Sequence, residues 1–357
     1  MTDYSDFRMS APTSPRVPEP PRYLVASPAR GAKGSAFANK HLRRISWSFP
    51  PNPREQSEIV ASWPSNDQPT VSVLCATYNH KGMIEHALNG ILMQRTTFPF
   101  EIIVHDDCST DGTREVVQDY KARYPLLIRT IFQERNIYSQ GMRPLPFLWT
   151  KAKGEYIALC EGDDFWVDQN KLQRQLNVLD DRPQSDICYH RAVMVFFNSA
   201  KQARIIADHS SRECDTVSCE RIIRGGGGFC PTASLFFRRS VLDAAPDWFW
   251  EAPTGDPYLQ WLAARRGGAI FLRDVMSVYR RGTPTSWTRS MRASDAYMRH
   301  IDRTLATYGD AEDWCGPKYA GAFRYRRGVG YFFKAKTAMR QGDFLSAAKW
   351  AGISFAN

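Results

Sequence analysis

The sequence predicts an α/β protein: a mostly parallel sheet flanked by helices, with a helical C-terminal extension. Two patterns and one quantity carry that expectation. From Thr70 onward, short apolar runs alternate with segments of helical period, as in βα units stacked around a buried sheet. Beyond residue 290 the strand-like runs stop, and small and aromatic residues recur at helical spacing. The quantity is size. The 357 residues, 43% hydrophobic and 13% aromatic, suffice for one large α/β domain with appendages, and they exclude collagen, disorder throughout and a mini-protein scaffold.

Taken in order, the chain opens on a different texture. Residues 1–69 hold 11 of the 22 prolines, among Ser, Arg and Gly clusters. Such composition buries too little surface to offset ordering entropy, so residues 1–45 read as a disordered Pro/Arg-rich leader, with Ile45, Trp47 and Phe49 as side chains available to dock on the body. Strands are expected at Val71 to Ala76, Phe100 to Val104, Ile128 to Phe132 and Tyr156 to Cys160. Helices are expected at Gly82 to Gln94, Thr113 to Tyr124 and Asp168 to Leu179, with Leu145 to Ala152 a segment between strands. The second half is less regular. It offers strands at Ile187 to Phe197, Ala233 to Phe237, Ala269 to Leu272 and Val275 to Arg280, a flexible connection at Gly225 to Gly228, and a helix from Pro257 to Arg265. The extension includes helices at Gly330 to Arg340 and Asp343 to Ser354, stopped apart by Gly342.

Charge and cysteine usage narrow the class. The formal charge of +10 divides evenly: residues 1–50 hold 8 basic and 3 acidic residues, so the body carries only +5, a weak basis for nucleic-acid binding. No nucleic-acid partner is expected; phosphorylated substrates or an anionic membrane face suit the surface equally well. Eight scattered Cys without a CxxC pair fit a reduced, cytoplasmic setting. No apolar run reaches the length of a membrane span, so the expectation is a soluble protein or one attached at the cytoplasmic face of the membrane.

Two acidic groups stand where chemistry is expected. Asp106-Asp107-Cys108-Ser109-Thr110-Asp111-Gly112-Thr113 follows the second strand, and Glu161-Gly162-Asp163-Asp164 follows the strand ending at Cys160. Open α/β sheets bind ligands beyond the carboxyl ends of their strands. Carboxylates gathered there repel one another unless a cation or donor groups lie between them. Oxygen ligands suit magnesium or manganese, which commonly complete their shells with substrate phosphates, so a divalent cation and a diphosphate are expected together. The rival for Ser109 and Asp111 is a helix cap and turn, which carries most of the weight there; for Asp163 and Asp164 it is a solvated loop.

Thr70-Val71-Ser72-Val73-Leu74-Cys75-Ala76-Thr77-Tyr78-Asn79, then Asp106 to Thr113, then Lys153 to Trp166 resemble, in order and spacing, the successive motifs of family-two glycosyltransferases with the GT-A, Rossmann-like fold. The resemblance covers about residues 69–290. It implies an inverting transfer of a single sugar from a nucleotide diphosphate donor, UDP favoured, aided by manganese or magnesium. The acceptor it implies is a glycan or lipid-linked molecule in surface polysaccharide or glycoconjugate synthesis. It implies donor contacts at Thr77, Tyr78, Asn79, Asp106 and Asp107, and the outer positions of the family's DxD element at Glu161 and Asp163. The family usually has Asp at the position of Glu161, which shifts metal weight to Asp163 with Asp164 in support.

An inverting transfer needs a base for the acceptor hydroxyl. Thr254-Gly255-Asp256 resembles the family's later acidic motif, making Asp256 the candidate; its rival role is to cap the helix beginning at Pro257. Residues 225–234 resemble the acceptor-side segment, which brings in Thr232 and Ser234. Gly282 stands where relatives often present a metal-binding His, so Arg280, Arg281 and Arg289 become candidates to offset diphosphate charge. These assignments divide the chain into the leader, a GT-A domain over 46–290 (a nucleotide-sugar half at 69–185 and an acceptor half at 186–290) and the extension over 291–357. Two rivals remain open: a non-catalytic binding or assembly protein that keeps the fold, and a sugar-phosphate nucleotidyltransferase. The absence of a Gly-rich basic loop after the first strand counts against the latter. Oligomeric state is not legible.

Overall fold

The structure, a computed structural model, describes residues 52–65, 68–199, 201–286 and 294–356. The expected leader, its docking residues and Arg289 lie outside the described residues.

Helix α1 (Gln56–Val60) buries Ile59 beside the first βα units. These are β1 (Val71–Thr77), α2 (Ile84–Leu92), β2 (Phe100–Asp106), α3 (Thr113–Arg123) and β3 (Ile128–Phe132). Next come α4 (Leu145–Trp149), β4 (Tyr156–Leu159), the two-residue β5 (Phe165–Trp166) and α5 (Lys171–Asp180). The second half contributes β6 (Ile187–Phe196), β7 (Arg204–Ile206), β8 (Cys214–Val217), α6 (Cys219–Gly225), β9 (Phe236–Arg238), α7 (Ser240–Asp243), α8 (Asp247–Glu251), α9 (Asp256–Ala264) and β10 (Ala269–Arg281). Helices α10 (Ser294–Cys315), α11 (Ala320–Arg340) and α12 (Phe344–Ala356) close the chain.

One sheet runs through both halves in the order β3-β2-β1-β4-β9-β6-β10-β5. Its long ladders, β1 with β2, β2 with β3 and β6 with β10, are parallel, while β9 is antiparallel to both β4 and β6. The sheet is buried on both faces, as the near-continuous apolar strands require. Along β1, Leu74 points to one layer and Val73 and Cys75 to the other; along β2, Ile103 and its neighbours Ile102 and Val104 do the same. One layer is closed by Ile84 and Leu88 of α2, Val117 of α3 and Leu172 of α5. The other is closed by Ile222 of α6, Trp261 of α9, and Tyr308 and Phe323 of the extension, so the C-terminal helices are part of the core.

Three expectations are corrected. Ala269 to Leu272 and Val275 to Arg280 form one strand, because the polar Arg273 and Asp274 are absorbed by register shifts against β6 rather than ending the pairing. Ala233 to Phe237 is not all strand: Thr232–Ser234 is a turn of 3₁₀ helix, and pairing begins at Phe236. That turn is held by Ser234 N donating to the Pro231 carbonyl and Leu235 N to Thr232, so the apolar run there reflects burial. The penultimate helix begins ten residues before the expected Gly330 and runs to Arg340. Gly342 stops it as expected, at φ +79°, a backbone region that side chains with a Cβ rarely enter.

Candidate active site at the carboxyl ends of the strands

In the first half, β2 and β3 lie on one side of β1 and β4 on the other, so the chain reverses its winding between β1 and β4. Such a switch point leaves a crevice beyond the strand ends. The loops after β1, β2 and β4 meet there through short side-chain bonds. Asn79, at φ +53°, accepts from Thr110 N at 2.8 Å and donates its own N–H to Ser109 Oγ at 2.9 Å, tying the first loop to the second. Asp111 accepts from Thr113 N at 3.0 Å and Lys81 N at 3.0 Å. It thus has the capping role expected for it, whereas Ser109 serves the Asn79 loop. Thr77 Oγ1 lies 3.1 Å from His80 Nδ1. A Cβ on Gly162 would sit 2.6 Å from that Thr77 oxygen, so only glycine lets the β4 loop close onto the β1 loop.

The two aspartates after β2 separate. Asp106 is fully buried; its Oδ2 accepts from Arg114 Nε at 3.1 Å and Ser109 N at 3.2 Å, while its Oδ1 has no partner. Asp107 spends both oxygens on backbone, accepting from Ile137 N at 2.7 Å and Tyr138 N at 3.0 Å. It positions the 137–140 turn rather than facing the crevice. Tyr78, half-buried, stands beside it at the end of β1.

Carboxylate oxygens of Glu161, Asp163 and Asp164 lie within 4.8 Å of one another, a donor set that fits a hard divalent cation. The solvated-loop alternative does not describe Asp164, which is 1% exposed and accepts from Arg280 N at 2.8 Å. Burial first, then the charges of Asp256, Asp163 and Asp164, hold the Glu161 carboxyl well above the usual carboxylate range. Burial and then Asp163 do the same to Asp164. Asp256 is thus electrostatically part of this cluster. It is the first residue of α9 and makes no capping bond; instead it accepts from Thr232 Oγ1 at 3.0 Å, so the cap alternative is not realised. Burial raises its carboxyl too, opposed by the Thr232 hydroxyl and by Arg143.

Several expected residues lie elsewhere. Ser234 is completely buried and donates to the Pro231 carbonyl at 2.6 Å, beneath the site rather than in it. Arg280, 2% exposed, donates to the Asp163 carbonyl at 2.8 Å, contacts His86 and covers the Phe165 ring, so it braces the acidic loop from below rather than reaching for a diphosphate. Arg281 is exposed beside Met194.

Three residues that sequence reasoning missed complete the site. Thr283, fully buried, donates to Asp163 Oδ2 at 3.1 Å, one position beyond Gly282, where the resemblance led to the expectation of a His. Tyr138 stands near enough to the cluster that desolvation, then Asp256 and Glu161, push its hydroxyl up to about 12. Arg143 donates to the carbonyls of Thr254 at 3.0 Å, Trp250 at 2.7 Å and Phe249, fixing the turn that leads into Asp256. Arg143 left no sequence signal because all its partners are main-chain atoms; Thr283 could have been sought beside the missing His.

The family model described as glycosyl transferase family 2 matches residues 72–244, spanning the strands that carry Thr77, Asp106, Glu161 and Asp163. This stretch, just under half of the chain, is what resembles glycosyl transferase family 2. The uncharacterized protein Rv1520 of Mycobacterium tuberculosis is 34% identical to this chain over 224 residues, 61% of this chain and 60% of its own length. The chain therefore spans about three-fifths of that relative. Poly(ribitol-phosphate) beta-N-acetylglucosaminyltransferase TarS of Staphylococcus aureus is 34% identical over 97 residues, 26% of this chain and 16% of its own. Its crystal structure with UDP superposes with a TM-score of 0.53 at 16% identity, covering 79% of this chain and 90% of that one. Mannosyltransferase PcManGT of Pyrobaculum calidifontis, solved with GDP-Man and Mn2+, superposes at 0.50 with 18% identity over 90% and 81% of the two chains. The fold is GT-A.

Proposed function

We propose that this glycosyltransferase moves a single sugar, with inversion, from a nucleotide diphosphate donor to a glycan or lipid-linked acceptor of a surface polymer. The observation that carries the reading is the cluster of Glu161, Asp163 and Asp164 carboxylates beyond β4, with Asp256 of the second half near enough to help raise the Glu161 carboxyl. Asp163, Asp164 and Glu161 would hold manganese or magnesium, which when bound neutralises charge on the leaving diphosphate. Asp106 Oδ1, buried and without a partner, offers an acceptor for a base N–H, and Thr77, Tyr78 and Asn79 border that position. Thr232 orients the Asp256 carboxylate. Asp256 takes the acceptor hydroxyl proton while the acceptor oxygen bonds the anomeric carbon and the bond from that carbon to the diphosphate oxygen breaks. Its raised pKa moves it toward the pH at which a general base works well. TarS, solved with UDP, favours a UDP donor; PcManGT, solved with GDP-Man, marks the other choice.

Calorimetric titration of nucleoside diphosphates with and without manganese, on the wild type and on Asp163→Ala, tests the donor half of this reading. Metal-dependent binding of one nucleotide, lost in the variant, is expected. Turnover in Asp256→Asn should fall by about 10²–10⁴, the usual share of general base catalysis. A folded protein that binds no nucleotide would instead be a non-catalytic relative that keeps the fold.

A further inference from the structure

Helices α11 and α12 form an antiparallel hairpin: Tyr331 stacks on Trp350 at 5.7 Å, and Ser354 Oγ donates to the Gly328 carbonyl at 2.8 Å. The hairpin packs on the core through Ala322 and Phe323. Its outward side is apolar to a degree that a solvated surface does not require. Phe344 is 70% exposed, Leu345 87% and Phe355 92%, and Phe332 and Met339 follow them on α11. Tyr325, Phe332 and Met339 share one helical face at i, i+7 and i+14, with Lys336 and Arg340 among them. On α12, Phe344, Ala348 and Phe355 recur at i, i+4 and i+11 beside Lys349. A cluster of this kind marks an interaction surface.

Charge selects the occupant. Residues 320–356 hold seven Lys and Arg against one Asp. Of the acids of α10, Asp302 is paired with Lys334 and Glu312 with Arg327. A second copy of the hairpin would meet this face with like charge, and so would the basic residues 1–50. We propose that the α11–α12 hairpin docks the enzyme on an anionic lipid surface, Phe344, Leu345 and Phe355 entering the interface while Lys336, Arg340 and Lys349 meet the headgroups. Among the described residues no helix is long and apolar enough to cross a membrane, so the hairpin lies on the bilayer. Arg326 of α11 rests against Gly226, and Gly227 against Pro257 beside Asp256. On the proposed transferase reading, docking therefore brings the acceptor side of the site to the headgroup level.

Flotation of the full chain with neutral phosphatidylcholine vesicles and with vesicles containing phosphatidylglycerol tests this, using the wild type, K336E/R340E and L345D/F355D. Binding to the anionic vesicles alone is expected, falling at high salt. Each cation near such a surface contributes about a fivefold factor, so K336E/R340E should bind roughly 25-fold less or weaker still. Loss in L345D/F355D beyond the roughly 25-fold that its two added negative charges alone would cost reports interfacial insertion. All four positions are exposed, so both variants should keep the wild-type melting temperature. Equal binding to both vesicle types, or none, overturns the proposal. So does a dimer in light scattering that L345D/F355D dissociates, which would give the face to a second copy. Nucleotide binding without vesicles reads the donor site independently, so failure of docking and failure of the transferase reading are distinguishable.

Discussion

On the proposed metal-site reading, the Thr283 hydroxyl would serve the cation indirectly, by orienting Asp163. It does not reach a cation, but it fixes Asp163 through Oδ2 and leaves the other oxygen available. Thr283→Val keeps the shape and removes the donor, so manganese affinity should fall about 10- to 100-fold, the usual cost of losing a group that orients a ligand. Manganese titration by electron paramagnetic resonance checks it; unchanged affinity would remove Thr283 from the site. The clustered carboxylates carry a second prediction. A carboxyl whose folded pKa lies above its unfolded value, as for Glu161, Asp164 and Asp256, holds an extra proton in the native state. Its stability contribution is therefore present below about pH 4 and is lost as pH rises through the folded value. Metal-free protein should lose melting temperature relative to Asp256→Asn as pH is raised from 4 to 7, with manganese abolishing the difference. A constant difference across that range would show that the cluster is not strained.

At the scale of elements, the parallel units were legible and the connections between them were not. The strands at Val71, Phe100 and Tyr156 announce themselves because both their faces are buried, leaving mostly apolar runs. The acidic residues at their ends were legible for the same reason: carboxylates directly after such runs need an explanation. Ser234 and Arg280 misled because sequence does not say whether a polar group faces ligand or core. Ser234 satisfies a turn carbonyl, and Arg280, expected to offset diphosphate charge, satisfies the acidic loop instead. Arg143 is the counterpart, a side chain whose role lies in joining two distant segments. Replacing it by Met would strip donors from the Phe249, Trp250 and Thr254 carbonyls, at about 1–3 kcal/mol for each one left unsatisfied. Because those carbonyls lead into Asp256, kcat should fall further than nucleotide affinity. Equal losses in both would mean a general destabilisation. Gly162→Ala should separate the β1 and β4 loops and weaken donor binding, read by the same nucleotide titration.

At the scale of the molecule, the two halves share a sheet and the extension shares the core. Trp261 of α9 packs edge-on to Phe323 of α11 at 5.4 Å and near Tyr308 of α10 at 5.6 Å, so the C-terminal helices cannot leave without opening the acceptor half. One calorimetric transition is expected, with calorimetric and van't Hoff enthalpies in agreement. Two separate peaks would mean that the halves are independent. Trp261→Ala should cost about 3–5 kcal/mol and lower the whole transition rather than split it. The place of β9 in this sheet also has a consequence for synthesis. Strands β1 to β4 can pair as soon as they leave the ribosome, yet the free edge of β4, Tyr156–Leu159, waits for β9 to cover it. Roughly 80 residues must be added in between, about 4–15 s at ordinary elongation rates. For that interval the nascent chain presents a bare apolar strand edge, the template on which chains pair with one another. Chaperones that cover the β4 edge until Phe236 arrives are therefore expected to raise the yield of the folded chain in a producing cell.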